Sequence, residues 1–382
     1  MNNKQILAVL AVVVVVVAAI SAAVIMNNSS DKSDSNEDNT SKGGFYSWNP
    51  NVVTVNDGYS NLTPAFMSIA ETVFESVYGE VPDYSGIKIS DIPEQYLFTY
   101  TNYVTAQSGS SITVKTYDNT STGTHEANVE KTITYTPTKI LCYTDTYIDT
   151  IYMILCDYYG ETAHSGNSDK AETKLWELIP AVSSSIKTSL KDKFGLTVPD
   201  SVETLGTGKE DLVNYCSSNF TSDDKVIIFM SEYNIRSTNS SSWWTTNNTI
   251  ENNNDNIRFI YLLSNSPAMV LSSIEMVGKA IGFDNTSSMM TSILAEIYVM
   301  QKAINESGNT VTFYAETAAK KSVGSNTLMG GIMTQILGLI NVYDGSLMGS
   351  LLSDEKIAHY KPAVLIFYKS DKRTADEQMR IA

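Results

Sequence analysis

The chain of 382 residues contains few cysteines and few basic residues. Its three cysteines are too few for a disulfide-rich scaffold. Lysine and arginine number 26 against 42 aspartates and glutamates, so the formal net charge is −16. Nucleic-acid binding depends on a basic surface, and this balance argues against it. Hydrophobic residues make up 42% of the chain, which is enough for a buried core.

Short motifs typical of common enzymes are also missing. The sequence has no nucleophile elbow, no phosphate-binding glycine loop and no His-Glu-x-x-His motif. Gly206-Thr-Gly208 lacks the third glycine of a dinucleotide site. His125, His164 and His359 are scattered, and a metal site would need them to converge with carboxylates. We therefore predict that the protein is not an enzyme and has no cofactor.

The longest hydrophobic run lies near the N-terminus. Residues 6–26 are almost all apolar and would span about 30 Å as a helix, the thickness of a bilayer core. Lys4 precedes the run and mainly acidic residues follow it, so the positive-inside rule places the bulk of the chain outside the cytoplasm. We predict a transmembrane anchor at 1–26 and a flexible tether at 27–44. A cleaved signal peptide, which would make the protein secreted, is the alternative.

Export also affects the chemistry of asparagine and cysteine. Beyond the tether, sequons for glycosylation begin at Asn61, Asn119, Asn219, Asn239, Asn247, Asn285 and Asn305, although chance produces such triplets in a chain rich in Asn, Ser and Thr. Cys142 and Cys156 can pair in an oxidising compartment or remain buried thiols, and Cys216 is left over.

Residues 45–130 are predicted to form an additional α+β unit. A helix is expected over 65–78, where Phe66, Ile69 and Val73 share one face. Strands are expected over 111–117 and 129–135, where apolar residues alternate. The sequence alone does not place this unit against the rest of the chain.

From Pro137 onward, short apolar strands alternate with helical segments, as in parallel sheets with crossover helices. Predicted strands cover 139–143, 225–230, 257–263, 311–315 and 363–368. Predicted helices cover 145–158, 170–179, 210–217, 268–281 and 326–337, and the longest covers 287–305, with an apolar face. Trp243 and Trp244 follow a Ser- and Asn-rich stretch that predicts a polar loop. They form either a binding platform or a local hydrophobic plug.

Four motifs in order resemble the substrate-binding proteins of iron–siderophore, haem and cobalamin ABC importers. The motifs are Pro137-Thr-Lys-Ile-Leu-Cys-Tyr143 with the helix after it; Glu210-Asp-Leu-Val followed by Asp224-Lys-Val-Ile-Ile-Phe229; Thr312-Phe-Tyr-Ala-Glu316 leading to Leu328-Met-Gly-Gly and Leu337-Gly-Leu-Ile-Asn-Val342; and Ser353-Asp-Glu355 continuing to Phe367. Lys139 and Ala363 depart from the family's usual arginine and acidic residue. The family also continues with a final strand and helix, whereas here only residues 369–382 remain.

The resemblance implies an α/β fold of two lobes with mostly parallel sheets, joined by a long helix. The first lobe would cover residues 131–264, the connecting helices 265–309 and the second lobe 310–382. The additional α+β unit and the transmembrane helix would precede them. The implied function is capture of a ferric siderophore, haem or corrinoid-like chelate by a monomer, and its delivery to an ABC importer permease. A zinc or manganese binder and a surface adhesion protein that reuses the fold are the alternatives.

Ligands of open α/β sheets bind outside the carboxyl ends of the strands, which selects the loops after the predicted strands. Aromatic residues there can stack on a ligand, and basic residues can neutralise an anionic one. The predicted ligand-binding residues are Tyr143, Tyr147, His164, Tyr233, Arg236, Trp243, Trp244, Tyr314, Lys320, Lys321, Lys369 and Arg373.

The resemblance further implies that the permease docks on one acidic residue of each lobe. Glu210 in the second motif and Glu355 in the fourth occupy the corresponding positions. Such exposed carboxylates would pair with permease arginines at a transient interface. A glutamate at a helix start is equally well explained by the helix macrodipole.

Overall fold

A computed structural model describes residues 51–55, 64–117, 127, 129–236, 241–283, 286–317 and 321–368. The predicted anchor and tether, and the sequons at Asn61, Asn119, Asn239 and Asn285, lie outside these ranges. Of the helices within them, none combines the length and apolarity needed to cross a membrane. The described chain divides into two compact units. The first contains residues 64–68 and Pro82–Ala303, and the second contains 51–55, Ile69–Val81 and 304–368.

The secondary structure is mixed α/β, which confirms that part of the predicted fold class. The strands are β1 (Asn51–Val55), β2 (Val104–Ser108), β3 (Ser111–Thr116), β4 (Val129–Ile133), β5 (Lys139–Cys142), β6 (Ala181–Val182), β7 (Glu203–Thr204), β8 (Val226–Ser231), β9 (Ile257–Leu262), β10 (Thr312–Glu316), β11 (Lys321–Ser322), β12 (Ile340–Asn341), β13 (Gly349–Ser350) and β14 (Val364–Tyr368).

The helices follow the same alternation. They are α1 (Pro64–Tyr78), α2 (Asp145–Tyr159), α3 (Asp169–Leu178), α4 (Ser184–Phe194), α5 (Lys209–Asn219), α6 (Tyr233–Arg236), α7 (Ser241–Asn253), α8 (Pro267–Ala280), α9 (Ser287–Ser307), α10 (Leu328–Gly331) and α11 (Asp354–Tyr360). A π-helical turn, Ile332–Ile336, extends α10. The boundary between the two units, at Ala303 and Ile304, falls within α9, the predicted long helix.

A parallel sheet of β5, β8 and β9 forms the centre of the first unit. β8 lies in the middle, and its residues from Val226 to Met230 are all buried. A continuous apolar run of this kind is typical of a parallel strand covered on both faces. Helix α2, which follows β5, is buried along most of its length.

The antiparallel sheet β2–β3–β4 also belongs to the first unit. The hydroxyl of buried Thr116, at the end of β3, donates to the carbonyl of Tyr261 in β9 at 3.0 Å and accepts from its N–H at 2.8 Å. Lys131 in β4 contacts Glu251 of α7 at 2.8 Å. The sheet β2–β3–β4, which lies mostly within the predicted N-terminal unit, therefore packs on the edge strand β9.

A six-stranded sheet forms the second unit, in the order β1-β14-β10-β11-β13, with β12 also paired to β10. β1, β14, β10 and β12 are parallel, and β11 and β13 are antiparallel additions. β1 was not predicted. It extends the sheet beside β14, so a strand from the N-terminal region completes this edge of the sheet.

One expectation for local structure was wrong, because Trp243 and Trp244 lie in helix α7 and not in a polar loop. The helix predicted over 326–337 is present from Leu328 to Ile336, and its second half is π-helical.

The cysteines are free buried thiols, so no disulfide joins Cys142 and Cys156. Burial raises the pKa of the Cys156 and Cys216 thiols to about 12, which keeps them unreactive.

Candidate functional site

The carboxyl ends of β5, β8 and β9 meet at one edge of the first unit's sheet. Tyr143 follows β5, Glu232 follows β8, and Asn265 lies shortly after β9. Glu232 is only 1% exposed, and its carboxylate accepts from the Asn265 amide at 2.6 Å and from the Ser231 hydroxyl at 3.0 Å. These hydrogen bonds fix a carboxylate at the edge where open α/β sheets bind ligands. Glu232 was not predicted from the sequence, although an acid directly after an apolar strand is a signal for it.

Two aromatic side chains are brought together near this edge. The rings of Tyr143 and Trp243 meet edge to face, with centroids 5.5 Å apart, and both residues are partly exposed. The hydroxyl of Tyr143 makes no hydrogen bond to any described residue, and burial raises its pKa. The neighbouring Trp244 instead packs against buried Tyr261, with centroids 5.8 Å apart. Of the two adjacent tryptophans, Trp243 therefore lies at the edge of the sheet, and Trp244 is a local hydrophobic plug.

Tyr147 and His164 lie inside the first unit. Tyr147 is buried in α2, where desolvation and nearby Glu232 raise the pKa of its hydroxyl. His164 Nε2 lies 3.0 Å from Oδ1 of Asp149, which is fully buried in the same helix. The two atoms lie within ion-pair distance, and neither makes a well-aligned hydrogen bond to the described chain. The His164 ring also meets Tyr152 and Phe194. The structure thus gives His164 an interior partner.

In the second unit, Tyr314 is buried in β10. Its hydroxyl lies 2.9 Å from the Ser322 hydroxyl and accepts from the N–H of Leu352 at 3.2 Å. Lys321 is exposed at the start of β11. Lys320, Lys369 and Arg373 lie outside the described residues, and only the backbone of Tyr233 and Arg236 is described, in α6.

An exposed apolar loop lies near the carboxyl end of β10. Leu347 and Met348 are 57% and 50% exposed, and Leu351 is exposed as well. This loop, residues 346–351, includes β13, which pairs with β11. Ser322 of β11 pairs in turn with Glu316, the last residue of β10. Sequence analysis missed these residues. The signal was a run of large apolar side chains within a Gly- and Ser-containing segment.

Backbone contacts hold this loop in place. The N–H groups of Ser325 and Asn326 donate to the carbonyls of Gly345 and Ser346 at 3.3 and 2.7 Å. Gly324 lies so close to Leu347 that a Cβ on it would stand 2.2 Å from the Leu347 carbonyl oxygen. The apolar side chains are therefore displayed on a fixed backbone.

The two glutamates implied in permease docking are both exposed, one in each unit. Glu210 lies in the first turn of α5, and Glu355 in the first turn of α11. A backbone N–H and the Ser353 hydroxyl hold the pKa of Glu355 below its usual value, so it is ionised at neutral pH. Both carboxylates are accessible to a partner.

Other expectations concern metal and sugar attachment. Across the described ranges, no three His, Cys, Asp or Glu residues cluster in a way that could hold a metal ion. His359 is exposed on α11, beside Tyr360.

Asn247 is fully buried and donates to the Tyr261 hydroxyl at 2.9 Å, so its sequon is inaccessible to glycosylation. Asn219 and Asn305 are exposed.

No protein-family model matches the chain, and neither does any curated protein. Solved structures do match. A possible iron-binding, periplasmic solute-binding protein from Staphylococcus epidermidis is 14% identical, with a TM-score of 0.40 over 61% of this chain and 78% of that one. A periplasmic haem-binding protein from Pseudomonas aeruginosa is 13% identical, with a TM-score of 0.37 over 64% and 76%.

A periplasmic vitamin B12-binding protein from Vibrio cholerae is 8% identical, with a TM-score of 0.39 over 64% of this chain and 83% of that one. The solved structures that the chain resembles are thus of the class that its motif order resembles. At these scores, the likeness extends to no ligand and to no individual residue.

Proposed function

We propose that this protein captures a small metal chelate outside the cytoplasm and delivers it to an ABC importer. One observation carries the proposal. In each unit, the carboxyl edge of a parallel sheet presents aromatic or apolar side chains that are at least partly exposed: Tyr143 and Trp243 in the first, Leu347 and Met348 in the second. Large chelates bind to surfaces of this kind, which combine apolar contact with a few fixed polar groups. A ferric siderophore, haem or corrinoid-like compound is the ligand class we propose.

The polar groups near the first edge support binding and not catalysis. Glu232 is held by Asn265 and Ser231, and Tyr143 keeps an unpaired hydroxyl near the same edge. Because both groups are buried, contact with a ligand falls to the exposed parts of the Tyr143 and Trp243 rings, and this contact involves no chemical step. The hydrophobic run at 6–26 would anchor the protein to the membrane that holds the importer.

Chelate binding is testable by tryptophan fluorescence of the full-length protein purified in detergent. We expect saturable quenching by at least one member of a panel of ferric siderophores, haem and cobalamin. Replacing Trp243 with phenylalanine should remove most of the quenching, because Trp243 contacts Tyr143 near the proposed site. Trp176→Phe on α3 is the matched control and should leave quenching largely unchanged. Absence of binding across the whole panel would contradict the proposal.

Permease docking gives a separate prediction. Glu210→Ala combined with Glu355→Ala should leave the Kd for the chelate within about twofold and reduce uptake by at least about tenfold, since paired interface charges contribute several kcal/mol. Uptake is measured in cells that express the importer. The control pair, Glu203→Ala with Glu80→Ala, removes one exposed carboxylate from each unit and should transport normally. Loss of chelate binding in the first pair would refute the docking assignment.

A further inference from the structure

We propose that the exposed apolar loop of the second unit binds the apolar face of a flat macrocycle that carries carboxylates, with Lys321 pairing to a carboxylate. The loop consists of residues 346–351 and displays Leu347, Met348 and Leu351. The inference rests on the proposed function and names the ligand class within it. It favours a tetrapyrrole-like compound over a polar siderophore.

Exposure of the apolar side chains is the first reason. Leu347, Met348 and Leu351 lie within five residues of one another, and each has at least a third of its surface in water. Soluble proteins seldom leave neighbouring large apolar side chains uncovered unless something binds there. A leucine and a methionine next to each other also offer a soft surface that adapts to a planar ring.

The fixed backbone is the second reason. Besides the bonds from Ser325 and Asn326, the N–H of Leu352 donates to both the Tyr314 and the Ser322 hydroxyls at 3.2 Å. Tyr343 fills the space beside Gly349, where a Cβ would stand 1.8 Å from the tyrosine hydroxyl. The segment is thus held at both ends, and a ligand does not need to order it. This preorganisation reduces the entropic cost of binding.

A basic residue beside the loop indicates that the ligand also carries an anionic group. Lys321 is exposed and pairs directly with Ser350 across the β11–β13 ladder, next to Leu351. A lysine beside an apolar surface complements a molecule with an apolar body and an anionic edge. A tetrapyrrole with propionate groups has this character, whereas hydroxamate and catecholate siderophores expose mainly polar groups.

The opposite edge of the same sheet provides a control. Ile340 in β12 is 52% exposed, close to the values for Leu347 and Met348. Ile340 pairs with Thr312, the first residue of β10. The loop is instead connected through the β13–β11 and β11–β10 pairings to Glu316, the last residue of β10. Ile340 therefore matches the loop residues in apolarity and exposure but lies at the amino edge, where no ligand is expected.

The test titrates haemin, haemin dimethyl ester and a ferric hydroxamate siderophore into the full-length protein. We expect haemin to bind, and Leu347→Ser with Met348→Ser to raise its Kd about tenfold or more, because two apolar contacts are lost. Ile340→Ser should change the Kd less than about twofold. Lys321→Gln should raise the Kd of haemin about fivefold and leave the Kd of the dimethyl ester, which lacks free carboxylates, unchanged. Lys356→Gln, on α11, should change neither Kd.

The outcomes separate the two proposals. Binding of the siderophore without haemin would overturn the inference and leave the proposed function standing, whereas binding of no chelate would overturn both. Equal effects of the loop and Ile340 variants would also overturn the inference. So would a dimer that the loop variants convert to monomers in sedimentation, because a second copy would then be the occupant.

Discussion

Replacing Thr116 with valine is expected to lower the free energy of unfolding of the first unit by about 2 to 6 kcal/mol. The Thr116 hydroxyl both donates to and accepts from the backbone of Tyr261, and the contact is buried. Valine keeps the shape but removes both hydrogen bonds, and each buried polar group that loses its partner costs about 1–3 kcal/mol. Urea unfolding, followed by circular dichroism, measures the loss.

Thr113→Val on the same strand is the control for this substitution. Its hydroxyl pairs with Thr132 at the surface, at 2.9 Å, so water can replace the lost partner. We expect the control to change the unfolding free energy by less than about 0.5 kcal/mol. Equal destabilisation by the two variants would mean that Thr116 does not attach the β2–β4 sheet to β9.

Replacing His164 with alanine should destabilise the protein by about 3 to 5 kcal/mol at neutral pH. The substitution leaves the buried Asp149 carboxyl without the partner that lies 3.0 Å from it, and breaking a buried pair from one side has a cost of this size. Removal of the ring contacts with Tyr152 and Phe194 contributes as well. His359→Ala, which removes an exposed histidine from α11, should have little effect.

The pH dependence of stability separates the electrostatic contribution of the His164–Asp149 contact from the contribution of ring packing. Burial raises the pKa of Asp149 in the native protein, while His164 lowers it, so loss of His164 raises it further. A carboxyl whose pKa is higher folded than unfolded stabilises the protein below its ordinary pKa, near 4, and that stability is lost as the pH rises toward the folded pKa. The His164→Ala variant should therefore approach the wild type in stability near pH 4.

Adding Asp149→Asn to His164→Ala removes the buried charge and should abolish this pH dependence, as thermal unfolding between pH 4 and 8 will show. A deficit in His164→Ala that is the same at every pH would indicate that only packing was lost. The control double variant keeps the packing defect, so the two contributions can be separated.

Strands and helices with a strong local pattern were predictable from sequence. β8 is an uninterrupted apolar run, and α9 has a regular apolar stripe, so burial dictates each of them locally. Helix α7 was missed because its Ser- and Asn-rich composition is typical of loops. Its formation depends on tertiary packing, including that of Trp244 against Tyr261 and of Asn247 beneath it.

The site was harder to predict than the fold. Sequence patterns identified Tyr143 and Trp243 as edge residues, but they gave equal weight to Tyr147 and Tyr314, which are buried. Whether a tyrosine beside a strand points into the core or out of it depends on register and on neighbours distant in sequence. Glu232 and Leu347 can be assigned to the candidate site only once the carboxyl edges of the sheets are known.

The pairing of β1 with β14 has a consequence for the order of folding. The two strands are parallel neighbours although about 310 residues separate them in the chain. During synthesis, β1 emerges about 310 residues before its partner, so the second unit's sheet cannot be completed until that whole stretch has been made. Contacts of such long range close slowly, because the entropy of the intervening chain must be lost first. Until β1 has paired, the edge of β14 remains open to wrong partners, and during this period the chain depends most on chaperones.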